Sequence, residues 1–266
     1  MSLPDFVRSS WYGYIELGQK AERTAWGAVA TDDRYPLVWD ANNATVLEPV
    51  NGLTAAAIRA DLTPALREAG APYEHVEFWE TSPPTPALEE LRSIGERPDP
   101  DVVMVLERPA PPARSSGAEV REITRPDRSF WTWYRESLRE FGSTQSDALL
   151  DQMTARTAEV FLPAGLRFYV GLLDGERAGY ANLVSLKGVG YIDNVVTMQP
   201  FKRRGVASAT VTAAVRASLG SGDRHVFLLA EKSGDPQRLY ERLGFRVRSQ
   251  IESFTRLVGD AACSSR

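Results

Sequence analysis

One stretch in the second half of the chain constrains the fold more than any other part of it. Residues 192–197 are rich in β-branched side chains, which indicates a strand, and residues 206–219 have the alanine-rich periodicity of a helix. Three basic residues and a glycine lie between them: Lys202, Arg203, Arg204 and Gly205. The sequence therefore predicts a strand, a basic loop and a helix in succession.

The start of this predicted helix has the properties of an anion-binding site. The first N–H groups of a helix have no partner within it, and the helix dipole adds roughly half a positive charge there. Gly205 lacks the side chain that would keep a phosphate away from the backbone, and Ala207 keeps the next turn small. The alternative is a surface turn whose arginines are simply solvated.

Residues 202–207 (KRRGVA) resemble the pyrophosphate loop of the GNAT superfamily of acyl-CoA-dependent acyltransferases. The family pattern is Gln or Arg, two residues, Gly, one residue, and Gly or Ala, so Lys202 departs from it at the first position. A second family element, residues 235–245 (DPQRLYERLGF), follows at the expected distance. The two elements together favour the GNAT interpretation over a surface turn.

The resemblance extends over residues 118–256, whose predicted elements follow the GNAT order β-α-α-β-β-β-α-β-α-β. It implies an α/β fold with a mixed sheet, in which residues 118–258 form the catalytic domain. Residues 109–117 are rich in Pro, Gly and Ser and are predicted to be an interdomain linker. Residues 259–266 are expected to form a disordered tail.

The first half of the chain repeats part of the same pattern. His75 and Gly95 enclose a predicted strand and helix and are 20 positions apart, while His225 and Gly244 enclose a similar pair and are 19 apart. Residues 1–108 are therefore predicted to be a second, tandem GNAT-like domain, although a chance similarity of spacing is the alternative. This domain would be degenerate, because no basic glycine loop precedes its predicted helix. Its expected role is structural, or to wall the substrate cleft.

The resemblance implies acetyl-CoA as the acyl donor, with its diphosphate on the basic loop. The loop residues expected to bind this cofactor are Arg203, Arg204, Gly205, Val206, Ala207 and Ser208. In the family, the strand before the loop splays away from its neighbour and hydrogen-bonds the pantetheine, which assigns Val195, Val196 and Thr197 to the same role. A plain central strand is the alternative. Ser233 stands where the family usually has an Asn that contacts the cofactor.

The catalytic roles follow from the same resemblance. Tyr240 matches the family tyrosine that protonates the departing thiolate, and a phenol with an ordinary pKa of about 10 is protonated at neutral pH. A core tyrosine is the alternative. Leu228 occupies one family position for a general-base carboxylate, so Asp193 and Glu231 are the candidates, unless a water relay or a neutral amine needs neither.

These assignments imply an N-acetyltransferase that moves an acetyl group from acetyl-CoA to a primary amine. Direct attack in a ternary complex is expected, since no placed Cys, Ser or Lys indicates an acyl-enzyme. The acceptor would be a small molecule or a peptide, bound near Trp131, Trp133 and Tyr134. The alternative is a non-catalytic acyl-CoA-binding sensor or partner-binding module.

Composition argues against several other classes of function. The net charge of −4 argues against a broad nucleic-acid surface, and no apolar run of 18 residues predicts a membrane span. Cys263 is the only cysteine, and His75 and His225 are the only histidines, so neither an internal disulfide nor a metal site is expected. We therefore expect a cytoplasmic protein without a membrane partner.

Two patterns in the first half predict local structure. Residues 35–39 are typical of a strand, and residues 54–69 are typical of a helix that Pro64 bends or divides. Four tryptophans are expected in the core rather than in a ligand cage: Trp11, Trp26, Trp39 and Trp79.

Overall fold

A computed structural model describes residues 2–48, 50–94, 99–109, 117–142 and 145–258. Its helices are α1 (Asp5–Ile15), α2 (Ala55–Ala69), α3 (Pro86–Ser93), α4 (Arg128–Ser137), α5 (Asp147–Arg156), α6 (Val206–Gly220) and α7 (Asp235–Arg242). Its strands are β1 (Lys20–Arg23), β2 (Gly27–Thr31), β3 (Asn43–Val46), β4 (Tyr73–Phe78), β5 (Asp99–Leu106), β6 (Glu119–Ile123), β7 (Arg167–Leu173), β8 (Glu176–Leu186), β9 (Val189–Thr197), β10 (His225–Glu231) and β11 (Phe245–Leu257). Most of the predicted linker 109–117 and all of the predicted tail 259–266 lie outside the described residues.

The chain divides into two compact units. The first unit consists of Met1–Val103 with Arg248–Arg266, and the second consists of Met104–Val247. The predicted domains, 1–108 and 118–258, differ from these units mainly at the end of the chain. The reason is the antiparallel pairing of β11 with β4, in which Thr255 lies opposite His75. A backbone ladder of this kind is invisible in the local pattern that placed the boundary.

The first unit has the strand order β1-β2-β3-β4-β11. Neighbouring strands are antiparallel except β3 and β4, which are parallel because α2 connects them. Helix α2 buries one apolar face, which includes Ile58, Leu62 and Leu66, in a core with Phe78 and Phe254. This helical spacing of apolar residues follows the pattern that predicted the helix.

Of the two outcomes expected for Pro64, bending or dividing the helix, division does not occur: α2 is a single helix with Pro64 inside it. Its ends carry the usual signals. The hydroxyl of Thr54 accepts a hydrogen bond from the amide of Ala57 (3.2 Å), and Gly70 ends the helix in the left-handed conformation with φ 69°.

The second unit has the strand order β10-β9-β8-β7-β6, with the end of β5 beside β10. Strands β6 to β9 form an antiparallel meander, and α6 crosses over to β10, which runs parallel to β9. Along the chain, the elements from β6 to β11 follow the order predicted from the sequence. Helix α6 packs on β7, β8 and β9, and α7 packs on β10.

One predicted strand in the first half is absent. Residues 35–39 form turns instead, because the fully buried side chain of Asn42 donates hydrogen bonds to the carbonyl oxygens of Tyr35 (2.9 Å) and Val38 (3.1 Å). Trp39 is consequently 43% exposed, contrary to the expectation that it lies in the core. The other three tryptophans of this half are buried as expected: Trp11, Trp26 and Trp79.

Among the described residues, no helix combines the length and the apolar character required to cross a bilayer.

Candidate active site

The parallel strands β9 and β10 are paired over only part of their length. Their register runs from Val189 opposite His225 to Ile192 opposite Leu228, whereas β9 continues to Thr197 and β10 to Glu231. Within the described part of the chain, β10 therefore offers no register partner to the end of β9. The residues concerned are Val195, Val196 and Thr197, those expected to hydrogen-bond the pantetheine.

A β-bulge bends β9 at the same place. In the pairing with β8, Val196 lies opposite Tyr180 and Asp193 lies opposite Asn182, so the two residues between them face Ala181 alone. One of the two, Asn194, has φ 46°, a conformation that Asn tolerates better than most residues. Because a bulge bends its strand, it accounts for the loss of pairing with β10 beyond Ile192.

The loop between β9 and α6 leads into an uncapped helix start. A 3-10 turn, Gln199–Phe201, follows the strand, and Arg203 and Gly205 both have positive φ values, of 66° and 82°. Gly205 is the N-cap residue and has no side chain to satisfy the helix amides. The first helical hydrogen bond is donated by Ala209 to the carbonyl oxygen of Gly205 (3.1 Å), so the amides of residues 206–208 precede it.

The three basic side chains of the loop each contact a carboxylate. Lys202 Nζ lies 3.0 Å from Glu140 Oε2, Arg203 Nη1 lies 3.6 Å from Asp235 Oδ2, and Arg204 Nη2 lies 3.2 Å from Asp174 Oδ2. The Arg203 side chain is 86% exposed, so its ion pair is weak in water. The arginines are therefore able to exchange these partners for a phosphate.

Two glycines in the sheet allow α6 to approach closely. A Cβ on Gly171 would lie 2.8 Å from Cγ1 of Val206, and a Cβ on Gly179 would lie 3.1 Å from the same atom. A Cβ on Gly179 would also collide with the carbonyl oxygen of Val196. The absence of side chains at these positions thus sets where the first turn of α6 lies relative to β7 and β8.

Tyr240, the predicted acid, is buried on α7. Its ring packs edge-to-face against Phe245 at 6.2 Å, and burial raises the pKa of its phenol well above the ordinary value. Burial is the only cause of this shift, and no hydrogen bond to the hydroxyl group contributes to it. Tyr240 is therefore a protonated phenol at neutral pH.

Ser233, the predicted replacement for the family Asn, lies in the turn between β10 and α7 with φ 64°. Its amide donates a hydrogen bond to Gln237 Oε1 (2.7 Å), and its carbonyl oxygen accepts one from Arg238 Nη1 (2.8 Å). The exposed side chain of Ser233 is thus held at the surface by its own backbone contacts.

The two candidate bases border the opening from opposite strands. Asp193 follows the last paired residue of β9; it is half-buried and accepts hydrogen bonds from the Tyr191 hydroxyl (3.1 Å) and Asn194 Nδ2 (2.9 Å). Glu231 ends β10 and is exposed. The structure holds Asp193 by two donors, whereas Glu231 lies at the start of the turn that contains Ser233.

Tyr134 does not fit the acceptor-binding role expected of it. It is 1% exposed, and its hydroxyl lies 3.1 Å from Thr157 Oγ1, while burial raises the pKa of Tyr134 to about 12. It stacks within an aromatic core with Phe130, Phe168 and Tyr180. The other two expected acceptor residues, Trp131 and Trp133, are half-buried beside it.

Sequence reasoning missed several residues that shape this site. The bulge residue Asn194, the two glycines of the sheet and the carboxylate of Glu140 had no motif to mark them. Asn in a β-branched run is a weak signal for a bulge, and Gly171 and Gly179 lie in predicted strands, where glycine is uncommon. Glu140 carries no such signal, because its contact with Lys202 spans 62 positions of the chain.

The corresponding place in the first unit is closed. Strands β3 and β4 remain paired to their last residues, Val46 and Phe78, and the amide of Trp79 adds a hydrogen bond to the carbonyl oxygen of Val46 (3.0 Å). At the start of α2, the carboxylate of Glu90 accepts a hydrogen bond from the amide of Ala55 (2.9 Å). This unit therefore has neither the split strands nor the open helix start of the second unit.

The described residues contain no group of three or more His, Cys, Asp or Glu side chains that could hold a metal ion.

A mixed sheet whose parallel strands separate next to an open helix N-terminus is the arrangement that the resemblance to the GNAT acyltransferases implied. Residues 127–245 match the family model described as "Acetyltransferase (GNAT) family". This match confirms the resemblance to the GNAT acetyltransferases that was identified from residues 202–207 and 235–245.

A curated relative, the N-alpha-acetyltransferase MAK3 of Arabidopsis thaliana, is 46% identical over 57 residues. That match covers 21% of this chain and 30% of the relative, so the chain spans less than a third of the length of the relative.

Solved structures resemble the whole chain. A GCN5-related N-acetyltransferase from Kribbella flavida has a TM-score of 0.67 at 16% identity, with 99% of each chain covered. A conserved protein of unknown function from Staphylococcus epidermidis has a TM-score of 0.67 at 14% identity, with 90% of this chain and 94% of that chain covered. A tandem GNAT protein of the clavulanic acid pathway has a TM-score of 0.55 at 17% identity, covering 77% and 70%. These similarities confirm the predicted fold class, a mixed α/β GNAT fold extending over nearly the whole chain.

Proposed function

We propose that this protein is an N-acetyltransferase that transfers an acetyl group from acetyl-CoA to a primary amine by direct attack in a ternary complex. The observation that carries the proposal is the separation of β9 from β10 beside the open amides at the start of α6. One feature offers an unpaired strand edge, and the other offers an anion site.

The cofactor would occupy both features. Its diphosphate would accept hydrogen bonds from the amides of residues 203–208, with the side chains of Arg203 and Arg204 beside it. Its pantetheine would lie along residues 195–197 like an added strand, because these residues lack a register partner in β10. Gly205 is required at the turn, since φ 82° is unfavourable for a residue with a side chain.

The reaction would need an oxyanion donor, a base and an acid. The amine nitrogen attacks the thioester carbon, and the amide of Val196 donates a hydrogen bond to the developing oxyanion. The C–S bond then breaks, and Tyr240 transfers its proton to the departing thiolate. The proton lost by the amine goes to a carboxylate directly or through water, and Tyr240 regains its proton from solvent.

Asp193 is the stronger of the two candidate bases. It is the first residue of β9 beyond the paired segment, and the hydrogen bonds from Tyr191 and Asn194 hold its carboxylate in place. Glu231 is exposed at the far end of β10, and the two donors that orient Asp193 do not orient Glu231.

A second function, a non-catalytic acyl-CoA-binding module, is favoured by one observation. Ser233 replaces the family Asn, and its backbone is bound to Gln237 and Arg238, so its short side chain has little freedom to reach a cofactor. Such a protein would retain the loop and the separated strands but would not catalyse acetyl transfer.

Two measurements with the full chain separate these functions. Acetyl-CoA is first titrated calorimetrically, and thiol release is then followed with a panel of acceptors: a small polyamine, an aminoglycoside, a peptide α-amine and a peptide lysine. The peptide α-amine is included because the 57-residue match is to an N-alpha-acetyltransferase. Turnover with any acceptor supports the enzyme. Binding without turnover on the whole panel supports the binding module, and no binding at all refutes both.

A further inference from the structure

Lys202, the one position of the loop that departs from the family pattern, has a specific partner. Its Nζ lies 3.0 Å from Oε2 of Glu140, whose side chain is only 17% exposed. Glu140 belongs to the 3-10 turn Leu138–Phe141, which directly follows α4. A half-buried ion pair thus connects this 3-10 turn to the loop between β9 and α6, which is called the cofactor loop below.

The same carboxylate also binds the backbone of the loop. Its other oxygen, Oε1, accepts a hydrogen bond of 3.0 Å from the amide of Gln199, the first residue of the 3-10 turn after β9. The two oxygens of Glu140 therefore contact the segment 199–202 at both of its ends. The backbone bonds of this turn vary in length: the amide of Phe201 donates to Met198 O at 2.9 Å, whereas that of Lys202 donates to Gln199 O at 3.3 Å.

We propose that Glu140 is a positioning residue for the cofactor loop and that Lys202 acts by neutralising Glu140, not as a ligand of the diphosphate. The identification of the anion as the diphosphate of coenzyme A rests on the proposed function. The contacts of Glu140 with Lys202 and Gln199 do not depend on it. A carboxylate close to a phosphate site repels the phosphate unless a cation compensates it. Lys202 supplies that cation, while Arg203 and Arg204, whose partners are exposed, remain available to the phosphate.

This assignment predicts a non-additive set of variants, measured as the Kd of coenzyme A for the full chain by calorimetry. Lys202→Met leaves the Glu140 charge uncompensated, so the Kd rises about tenfold, equivalent to roughly 1.4 kcal/mol. Glu140→Gln keeps an acceptor for the Gln199 amide and changes the Kd by less than about threefold. The double variant Lys202→Met with Glu140→Gln returns to within about threefold of wild type, because the uncompensated charge is gone.

A direct phosphate contact by Lys202 gives the opposite pattern. The double variant would then bind coenzyme A at least as weakly as Lys202→Met alone, and that result overturns the proposal.

Lys20→Met is the matched control, because Lys20 is also ion-paired, with Glu22 at 3.1 Å, but lies in the first unit. The Kd of coenzyme A for the Lys20→Met variant should equal the Kd for the wild-type protein.

Hydrogen exchange tests the positioning role without any cofactor. In the free protein, Glu140→Ala should accelerate exchange of the Gln199 amide about tenfold or more, whereas Glu140→Gln should leave it slow. Equal exchange in wild type and Glu140→Ala overturns the positioning role. If wild type does not bind coenzyme A, the proposed function fails, while the exchange experiment still decides whether Glu140 holds the loop.

Discussion

The carboxylate of Glu90 accepts a 2.9 Å hydrogen bond from the amide of Ala55 at the first residue of α2. In the second unit the corresponding helix, α6, has Gly205 as its N-cap residue and has no side-chain cap. A carboxylate placed on a helix start occupies the position that a bound anion would take. This difference between two similar strand–helix–strand arrangements predicts that the first unit does not bind an anion at the start of α2.

We therefore expect one coenzyme A per chain. Calorimetric titration of wild type should give a stoichiometry of one, and Glu90→Ala should keep that value while lowering the free energy of unfolding by about 1 kcal/mol through the lost cap. Urea unfolding measures the stability change. A stoichiometry of two in wild type would show that the first unit has a second site.

Charge reversal in the loop should weaken cofactor binding. Replacing Arg203 and Arg204 together by Glu is expected to cost a few kcal/mol of coenzyme A binding, about 2 to 4, because two attractive contacts become repulsive. Arg216→Glu is the control, since Arg216 is exposed near the C-terminal end of α6, the helix that follows the loop. Comparable losses of affinity in both variants would mean that the loop has no special role.

Removal of the Tyr240 hydroxyl should affect turnover rather than binding. Tyr240→Phe is expected to lower kcat about tenfold or more and to leave the Kd of coenzyme A within about twofold, because the proton is needed only when the thiolate leaves. Tyr169→Phe is the control, as Tyr169 is a similarly buried phenol whose hydroxyl binds Glu122 at 3.2 Å. An unchanged kcat in Tyr240→Phe removes this residue from the mechanism.

The same residue makes a prediction about pH. Burial raises the pKa of Tyr240 above the ordinary value of about 10, so the phenol stays protonated in the folded protein throughout the neutral range. The ratio of wild-type to Tyr240→Phe rates should therefore be constant between about pH 6 and 9. The free energy of unfolding should fall as the pH rises above about 10, because Tyr240 then loses its proton more readily in the unfolded chain than in the folded protein.

The contact between the sheet and α6 should not tolerate a methyl group. Gly179→Ala is expected to destabilise the protein by about 2 kcal/mol or more, because the new Cβ collides with the carbonyl oxygen of Val196. Gly220→Ala is the control, since a Cβ there meets no atom within 4 Å. Urea unfolding of the two variants distinguishes a local collision from a general effect of glycine replacement, which would give similar losses in both.

The two candidate bases can be separated by amide substitutions. Asp193→Asn should lower kcat/KM about 100-fold with little change in coenzyme A affinity, and Glu231→Gln should stay within about threefold of wild type. The measurement uses whichever amine the acceptor panel identifies. A large loss in Glu231→Gln with full activity in Asp193→Asn would reverse the assignment.

Local patterns predicted the elements around the site well. The branched run ending at Thr197, the glycine at 205 and the helix after it are all signalled by residues adjacent in sequence, and the structure contains each of them. The same local reasoning predicted a strand at residues 35–39, where the buried amide of Asn42 draws two backbone carbonyls into turns instead. A side chain several positions away thus overrode the local preference.

The sequence by itself determined the family resemblance, the order of elements and the helix start at Gly205, because each depends on residues close together in the chain and on backbone preferences that act locally. Only the tertiary structure decided that β11 pairs with β4, that the Glu90 carboxylate contacts the start of α2 and that Glu140 contacts Gln199 and Lys202. These contacts join residues 35 to about 180 positions apart. Their partners are selected by packing and by the requirement to satisfy polar groups removed from water, and no local pattern records that selection.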